Sequence, residues 1–524
     1  MYLFKFVINS KKKYMKYKIL MLLTSLSLAL GSCTKLDEEL NGEINPSQSG
    51  GGSANVAALL AGVYSNFRGM YMDQGNLHAL GEMSTDAWIG PTRGPDWDDN
   101  GAWRVLHNHR FTGDNSHVRD VFFGLNGVNF AATDMLRFSP TPQQAAEARL
   151  LRALAQYWLL DLYNQVPYRE PGESAVLPSK VRKGVEALDY LVAEITAIMN
   201  DLPAGPVTRA NKNAAKVLLM KCYLNKGTYA SRAAPTFPAA DMQRVISLAD
   251  EVMAGPYSFA ANYFDNFAPN NNAIGRENIW TQENVGGVSS GGLRSRYHST
   301  LHYNNAPGGW NGFSSLSDFY NKFEASDKRR GVAYNSYPGA KPNPGNRVNV
   351  GFLIGQQYNL DTDAPLKDRT GAPLAFTPEV KIIEKGSNLE VTGIRAFKVP
   401  IDFANANNGN IDNDNPIFRL GDVMLMKAEA LLRTNAAPAG LAIVNTVRLN
   451  RGATALGSLT LENMYDERGR EMYLECWRRQ DMIRFGKFLL PFQEKPATSA
   501  PKFLLFPIPN GQLAANPNLD NNGY

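Results

Sequence analysis

Val217-Leu-Leu-Met-Lys-Cys-Tyr-Leu224 recurs late in the chain as Val423-Met-Leu-Met-Lys-Ala-Glu-Ala430. Both runs space apolar residues at three- and four-residue steps, the period of a helix with a buried face. A second helical stretch follows each run and ends near a glycine, Gly255 in one case and Gly452 in the other. Paired helices recurring in this way predict tetratricopeptide-like stacking, although the full tetratricopeptide consensus is absent. The fold class that follows is mostly α. Helix pairs form a scaffold, joined to a large loop-rich region with a few short strands.

Working outward, Thr141-Pro142 predicts a helix start, with Thr141 as N-cap, proline in the first turn and Gln144 closing a capping box. Ala148, Leu151, Ala155, Leu159 and Leu162 supply its core-facing stripe, and Pro167 marks its end. Further helices are predicted at Val185 to Leu202, Asn213 to Lys226, Asp241 to Ala254, Leu420 to Leu432, Ala437 to Asn450 and Glu462 to Phe485. Residues 256–415 change character. Ala268-Pro-Asn-Asn-Asn272 and Asn407-Asn-Gly-Asn-Ile-Asp-Asn-Asp-Asn-Pro416 are loop chemistry. Strand candidates among them are Asn278 to Gln282, Lys381 to Glu384 and Arg395 to Val399.

The N-terminus reads as a targeting segment. Lys11, Lys12, Lys13, Lys16 and Lys18 form a basic region, and Ile19 to Leu30 is apolar but shorter than the roughly 20 residues a bilayer requires. Leu30-Gly31-Ser32-Cys33 looks like a lipobox, so Cys33 is the expected site of lipidation; Met15 is a possible alternative start. The organisation expected is a signal peptide at 1–32, lipidated cysteine and flexible tether at 33–53, a helical region at 54–255, and a C-terminal region at 256–524 with ligand-facing loops and the last helix pairs. Residues 1–32 hold six lysines and no acid, so removing them from 54 basic side chains leaves 48 against 49 acidic ones. A basic patch for nucleic acid is therefore not indicated. Cys222 and Cys476 lie in apolar helical stretches and read as buried thiols, with a disulfide between them left open.

Catalytic patterns are missing. Gly287-Val-Ser-Ser-Gly291 has the nucleophile-elbow spacing, but the last histidine, His302, follows too closely for that fold. His298 and His302 lack the glutamate of a zinc helix, and His107 and His109 read as a surface pair. Asp412 and Asp414 hint at calcium without the glycine an EF-hand loop needs. The acids from Asp466 to Asp481 each have a basic residue three or four positions away, which reads as an ion-paired helix face rather than paired catalytic carboxylates. No enzyme, catalytic residue, metal or cofactor is expected.

Six stretches in order resemble the SusD/RagB family of outer-membrane nutrient-binding lipoproteins. They are Glu147 to Tyr157 with Val166-Pro-Tyr168, Ala214 to Leu224, Arg419 to Ala430, Val444 to Arg451, Glu467 to Arg484, and the ending from Phe506 to Tyr524. Central loops match poorly outside Gly308 to Phe313 and Ser326 to Arg329. The resemblance implies a partner, a TonB-dependent SusC-like β-barrel transporter that the protein caps like a lid. It also implies an outer-membrane, lipid-anchored location facing the cell exterior, and an oligosaccharide ligand, with peptides a minority case.

Sugar rings pack their C–H faces on flat aromatics while polar side chains hydrogen-bond their hydroxyls. Two clusters have that composition. Asp86, Trp88, Trp97 and Trp103 lie in one; Tyr303, Trp310 and Asn311 lie in the other. The competing reading is that these aromatics plug a core beneath long loops. Trp158, Trp280 and Trp477 are expected in the core. The function expected is a surface glycan-binding lipoprotein delivering oligosaccharides to its transporter; the alternatives are a surface glycoside hydrolase and a peptide-binding or adhesion lipoprotein.

Overall fold

Thr141 caps its helix as its sequence requires: its Oγ accepts from the Gln144 amide at 3.3 Å, and the Gln144 side chain accepts from the Thr141 amide at 3.0 Å. The structure, a computed structural model, describes residues 55–524, so the leader, Cys33 and the tether lie outside the described residues. The helices that matter here are α1 (Val56–Met72), the short α2 (Ala102–His107), α3 (Ser116–Met135), α4 (Pro142–Tyr163), α5 (Gly184–Ile198), α6 (Lys212–Ala230), α7 (Ala239–Met253), α8 (Leu420–Arg433), α9 (Ala437–Asn450), α10 (Leu461–Met472) and the short α11 (Arg478–Arg484). From α3 to α9 each helix packs on the next, and α1 lies against α3 and α4. The protein is therefore mostly α, built from stacked helix pairs.

The two repeated runs fall on α6 and α8, the first helices of their pairs. They meet directly. Lys221 of the first lies 2.8 Å from Asp422 at the head of the second, and its ammonium sits 3.5 Å over the Trp477 ring. Trp477 in turn stacks on Trp158 of α4 with centroids 4.4 Å apart, and Trp280 is fully buried, so these three tryptophans are core side chains. Helix α4 buries nearly every residue from Ala146 to Tyr163, a helix enclosed on all sides rather than striped. It ends at Tyr163 with Asn164 in the left-handed conformation (φ 58°), ahead of Pro167.

Because α7 packs on α8, residues 254–419 are an excursion from the helix stack. Its ends are zipped together: Asn278–Gln282 runs antiparallel to Asn415–Arg419, pairing Trp280 with Phe418. Three short strands, Gly331–Val332, Val350–Leu353 and Arg395–Phe397, form its largest sheet.

Two expectations change. The stretch Glu462 to Phe485 is two helices, broken at Tyr473–Cys476, where Leu474 (φ 59°) and Cys476 (φ 72°) are left-handed. The break is held by the Glu82 side chain, whose Oε1 accepts the Cys476 amide at 2.8 Å. The acids of this stretch pair mainly with distant arginines rather than along the helix. Glu467 meets Arg329 and Arg448, both at 2.7 Å, while Glu471 meets Arg451 at 2.9 Å and Glu475 meets Arg419 at 2.7 Å, all buried. Such pairs are sustained only because each charge is matched, as an isolated one would be severely desolvated. Cys222 and Cys476 are buried free thiols.

Candidate functional site

The segment between α1 and α2 inserts into the excursion. Trp88–Ile89 pairs antiparallel with Ser314–Ser315, and Thr92–Arg93 runs parallel to Ile383–Glu384. That ladder brings the two aromatic clusters of the sequence onto one face. Two buried guanidiniums fix the junction from behind. Arg93 Nε donates to the Gly312 carbonyl at 3.1 Å and its Nη2 to Ser314 Oγ at 2.9 Å; Arg395 Nη1 donates to the Phe313 carbonyl at 3.3 Å. Burial pushes the Arg93 group down to about 10.

On this frame Trp97, Trp103, Trp310 and Phe313 form a continuous aromatic cluster of tilted and edge-on rings. Centroid separations are 4.8 Å for Trp97–Phe313, 4.7 Å for Trp103–Phe313, 6.3 Å for Trp97–Trp103 and 6.5 Å for Trp97–Trp310. Trp97 is left-handed (φ 60°), and its indole Nε1 donates to the Trp310 carbonyl at 2.9 Å. The ring lies so close to Gly312 that a Cβ there would fall 2.3 Å from it, so only glycine fits. Trp103 is 4% exposed, stacks 4.0 Å from the His117 ring and donates Nε1 to Asp99 at 2.6 Å. Trp310, at 38% exposure, is the most exposed member, ahead of the half-buried Trp97.

Polar groups flank the cluster. The Tyr303 hydroxyl donates to Asp96 at 3.4 Å, and the Arg369 guanidinium lies 4.0 Å over the Tyr303 ring. Partial burial, then the nearby Asp96 charge, raises the Tyr303 phenol above its ordinary value. Glu390 joins Arg369 at 2.5 Å to His302 at 2.9 Å, which holds the carboxyl below its usual range against the opposing effect of burial. Asp96, Arg369 and Glu390 were not singled out by the sequence, since only tertiary structure sets them beside Tyr303.

The remaining sequence candidates sit deeper. Trp88 is 1% exposed and packs edge-on against Phe313 at 6.4 Å. Asp86 is held bidentately by Arg478, both contacts 2.7 Å, and also accepts from Tyr465 at 2.8 Å. Asn311 is buried and left-handed (φ 53°), its amide donating to the Leu301 carbonyl at 2.8 Å. The seven candidates thus divide into a presented set (Trp97, Tyr303, Trp310) and a supporting set (Asp86, Trp88, Trp103, Asn311).

His107 and His109 are not a surface pair; both are buried. His109 stacks on Phe488 at 4.3 Å, and burial pushes the two imidazoles down to about 4 and about 3. His107 ends α2, and His109 lies in a left-handed turn (φ 51°). His298 has no hydrogen-bond partner on either ring nitrogen and lies 5.5 Å from the Trp310 ring. Among the described residues no cluster of histidine, cysteine or carboxylate side chains suits a metal ion, and no helix is long and apolar enough to cross a membrane.

Known proteins resemble this chain in sequence and fold. A sequence profile described as the SusD family matches residues 276–500. The starch-binding protein SusD of Bacteroides thetaiotaomicron is 25% identical over 444 residues, covering 75% of each chain. Surface glycan-binding protein A from Bacteroides uniformis superposes with a TM-score of 0.67 at 17% identity, over 90% of this chain and 99% of that one. A laminarin-binding SusD-like protein does so at 0.66 and 18% identity, over 90% and 99%.

Proposed function

We propose that the chain is a SusD-type binding protein, as the profile match over residues 276–500 and the 25% identity to the starch-binding protein SusD support, and that it captures an oligosaccharide at the Trp97–Trp310 face without chemically altering it. The observation that carries this reading is the exposed Trp310 ring, backed by Trp97, Trp103 and Phe313 and flanked by Tyr303, Asp96 and Arg369. A sugar ring laid on Trp310 contributes dispersion and C–H contact, while the flanking phenol, carboxylate and guanidinium bond its hydroxyls. Relatives whose names record binding of starch and laminarin support a glycan as ligand. In this account Cys33 carries lipid at the outer membrane, the chain from 54 onward is the external body, and the captured glycan passes to a TonB-dependent SusC-like barrel.

The test is a screen of immobilised glycans with the parent protein and Trp310→Ala. The reading expects at least one glycan bound by the parent, weakened in the variant and recovered intact after long incubation. Equal binding by both proteins would remove the site; recovery of cleaved sugar would replace binding with hydrolysis.

A further inference from the structure

Asn304, Asn305 and Ala306 follow Tyr303 directly, yet they line a separate cavity of about 410 Å³ that no tryptophan borders. That size falls within the range of small-molecule sites, about 300–1,000 Å³. Its wall is divided chemically. Leu301, Phe352, Leu353, Phe397 and Ile401 form an apolar, buried part, while Val348 and Ile354 also line it and stay exposed at 46% and 37%. Exposed aliphatic side chains beside a hollow mark a surface suited to an apolar ligand group.

The polar part consists of four carboxamides, each committed at one end. Asn304 Nδ2 donates to the Lys367 carbonyl at 2.8 Å, and Asn305 Oδ1 accepts the His302 amide at 2.8 Å. Gln356 Nε2 donates to the Leu366 carbonyl at 2.8 Å, and Gln357 Nε2 to the Gly355 carbonyl at 2.9 Å. Their other ends have no hydrogen-bond partner among the described residues, which leaves three oxygens and one amide nitrogen unclaimed beside the cavity. Three acceptors against one donor favour hydroxyl groups over a carboxylate or phosphate. Of the two arginines in the lining only one is ion-paired, and the other has N–H groups left to donate to a sugar hydroxyl. Arg347 is neutralised by Asp363 at 2.8 and 3.1 Å, and Arg330 donates to the Tyr320 hydroxyl at 2.5 Å.

A bare sugar pressed into the apolar part would lose water from its hydroxyls without replacement bonds, which is unfavourable. A hydrocarbon alone would leave the carboxamides unused. We propose that this cavity takes a sugar ring bearing an apolar substituent, an acyl ester or alkyl or aryl ether. The hydroxyls meet Asn304, Gln356 and Gln357, and the substituent lies against Phe352, Leu353 and Phe397. The ligand class follows from the cavity itself; that the substituted ring belongs to the glycan held at Trp310 rests on the reading above.

The experiment uses the full chain with ¹³C-labelled methyl groups and a matched series of methyl, butyl and phenyl β-glucosides and β-xylosides. Saturable shifts are expected at the Ile354, Val348 and Leu353 methyls, with butyl and phenyl glycosides binding about tenfold tighter than the methyl glycoside. Ile354→Asp and Gln356→Ala, both at exposed or half-exposed positions, are expected to weaken these shifts about fivefold or more, while Trp310→Ala leaves them unchanged. No saturable shift at these methyls with any member of the series overturns the proposal, as does abolition of the shifts by Trp310→Ala. Cavity shifts in the parent with no glycan bound at Trp310 would instead count against the glycan reading alone.

Discussion

The indole Nε1 of Trp97 donates to the main-chain carbonyl of Trp310 at 2.9 Å, so one tryptophan positions the loop that presents the other. The contact needs Gly312, because a side chain there would collide with the Trp97 ring. Gly312→Ala is expected to displace Trp97 and release the Trp310 loop, costing about 1–3 kcal/mol from overpacking. Glycan affinity would fall with it. Denaturant midpoints and titration calorimetry on the same variant check both effects; unchanged values in both would show that the Trp97–Trp310 coupling is unimportant.

Asp86 distinguishes a supporting residue from a ligand contact. Its bidentate bond to Arg478 holds a buried guanidinium, and removing one partner of such a pair typically costs about 3–5 kcal/mol. Asp86→Ala is therefore expected to lower the unfolding free energy by that order. Under conditions where the variant remains folded, its glycan affinity should stay within about twofold of the parent. A stable variant that has lost affinity would return Asp86 to the binding face.

Burial pushes the Glu82 carboxyl up to about 8, against 4.5 for the free side chain. Between those values the unfolded chain has released a proton that the folded chain keeps, so this residue lowers stability as pH rises from about 4.5 to about 8. Glu82→Gln removes the titration. The melting temperature of Glu82→Gln minus that of the parent is expected to grow from pH 5 to pH 8.5, corresponding to roughly a few kcal/mol at the upper end. A pH-independent difference would show that Glu82 is ionised in the folded protein.

Periodicity located α4 to α9 within a few residues because those helices carry apolar repeats and, at Thr141, a complete capping box. Besides the short α2, it missed α1 and α3. Both are interrupted by glycines, Gly62 and Gly69 in one and Gly124 and Gly127 in the other, and their N-caps Asn55 and Asn115 were the signals available. The break at Tyr473–Cys476 had no local signature, since it depends on Glu82 nearly four hundred positions away. The aromatic composition of the site was legible. Its division was not, because Trp88 and Trp310 differ in exposure only once the Trp88–Ser315 pairing is formed. Asp96, Arg369 and Glu390 meet Tyr303 and His302 through the excursion's own folding, which leaves no regular spacing to read.

The central claim rests on Trp310, and calorimetric titration of one array-identified glycan into the parent and Trp310→Ala tests it most directly. Because the ring is partly exposed, the variant is expected to melt within about 2 °C of the parent. Its affinity is expected to fall about tenfold or more, as for an aromatic anchor. Equal affinity in a variant that folds normally would contradict the account.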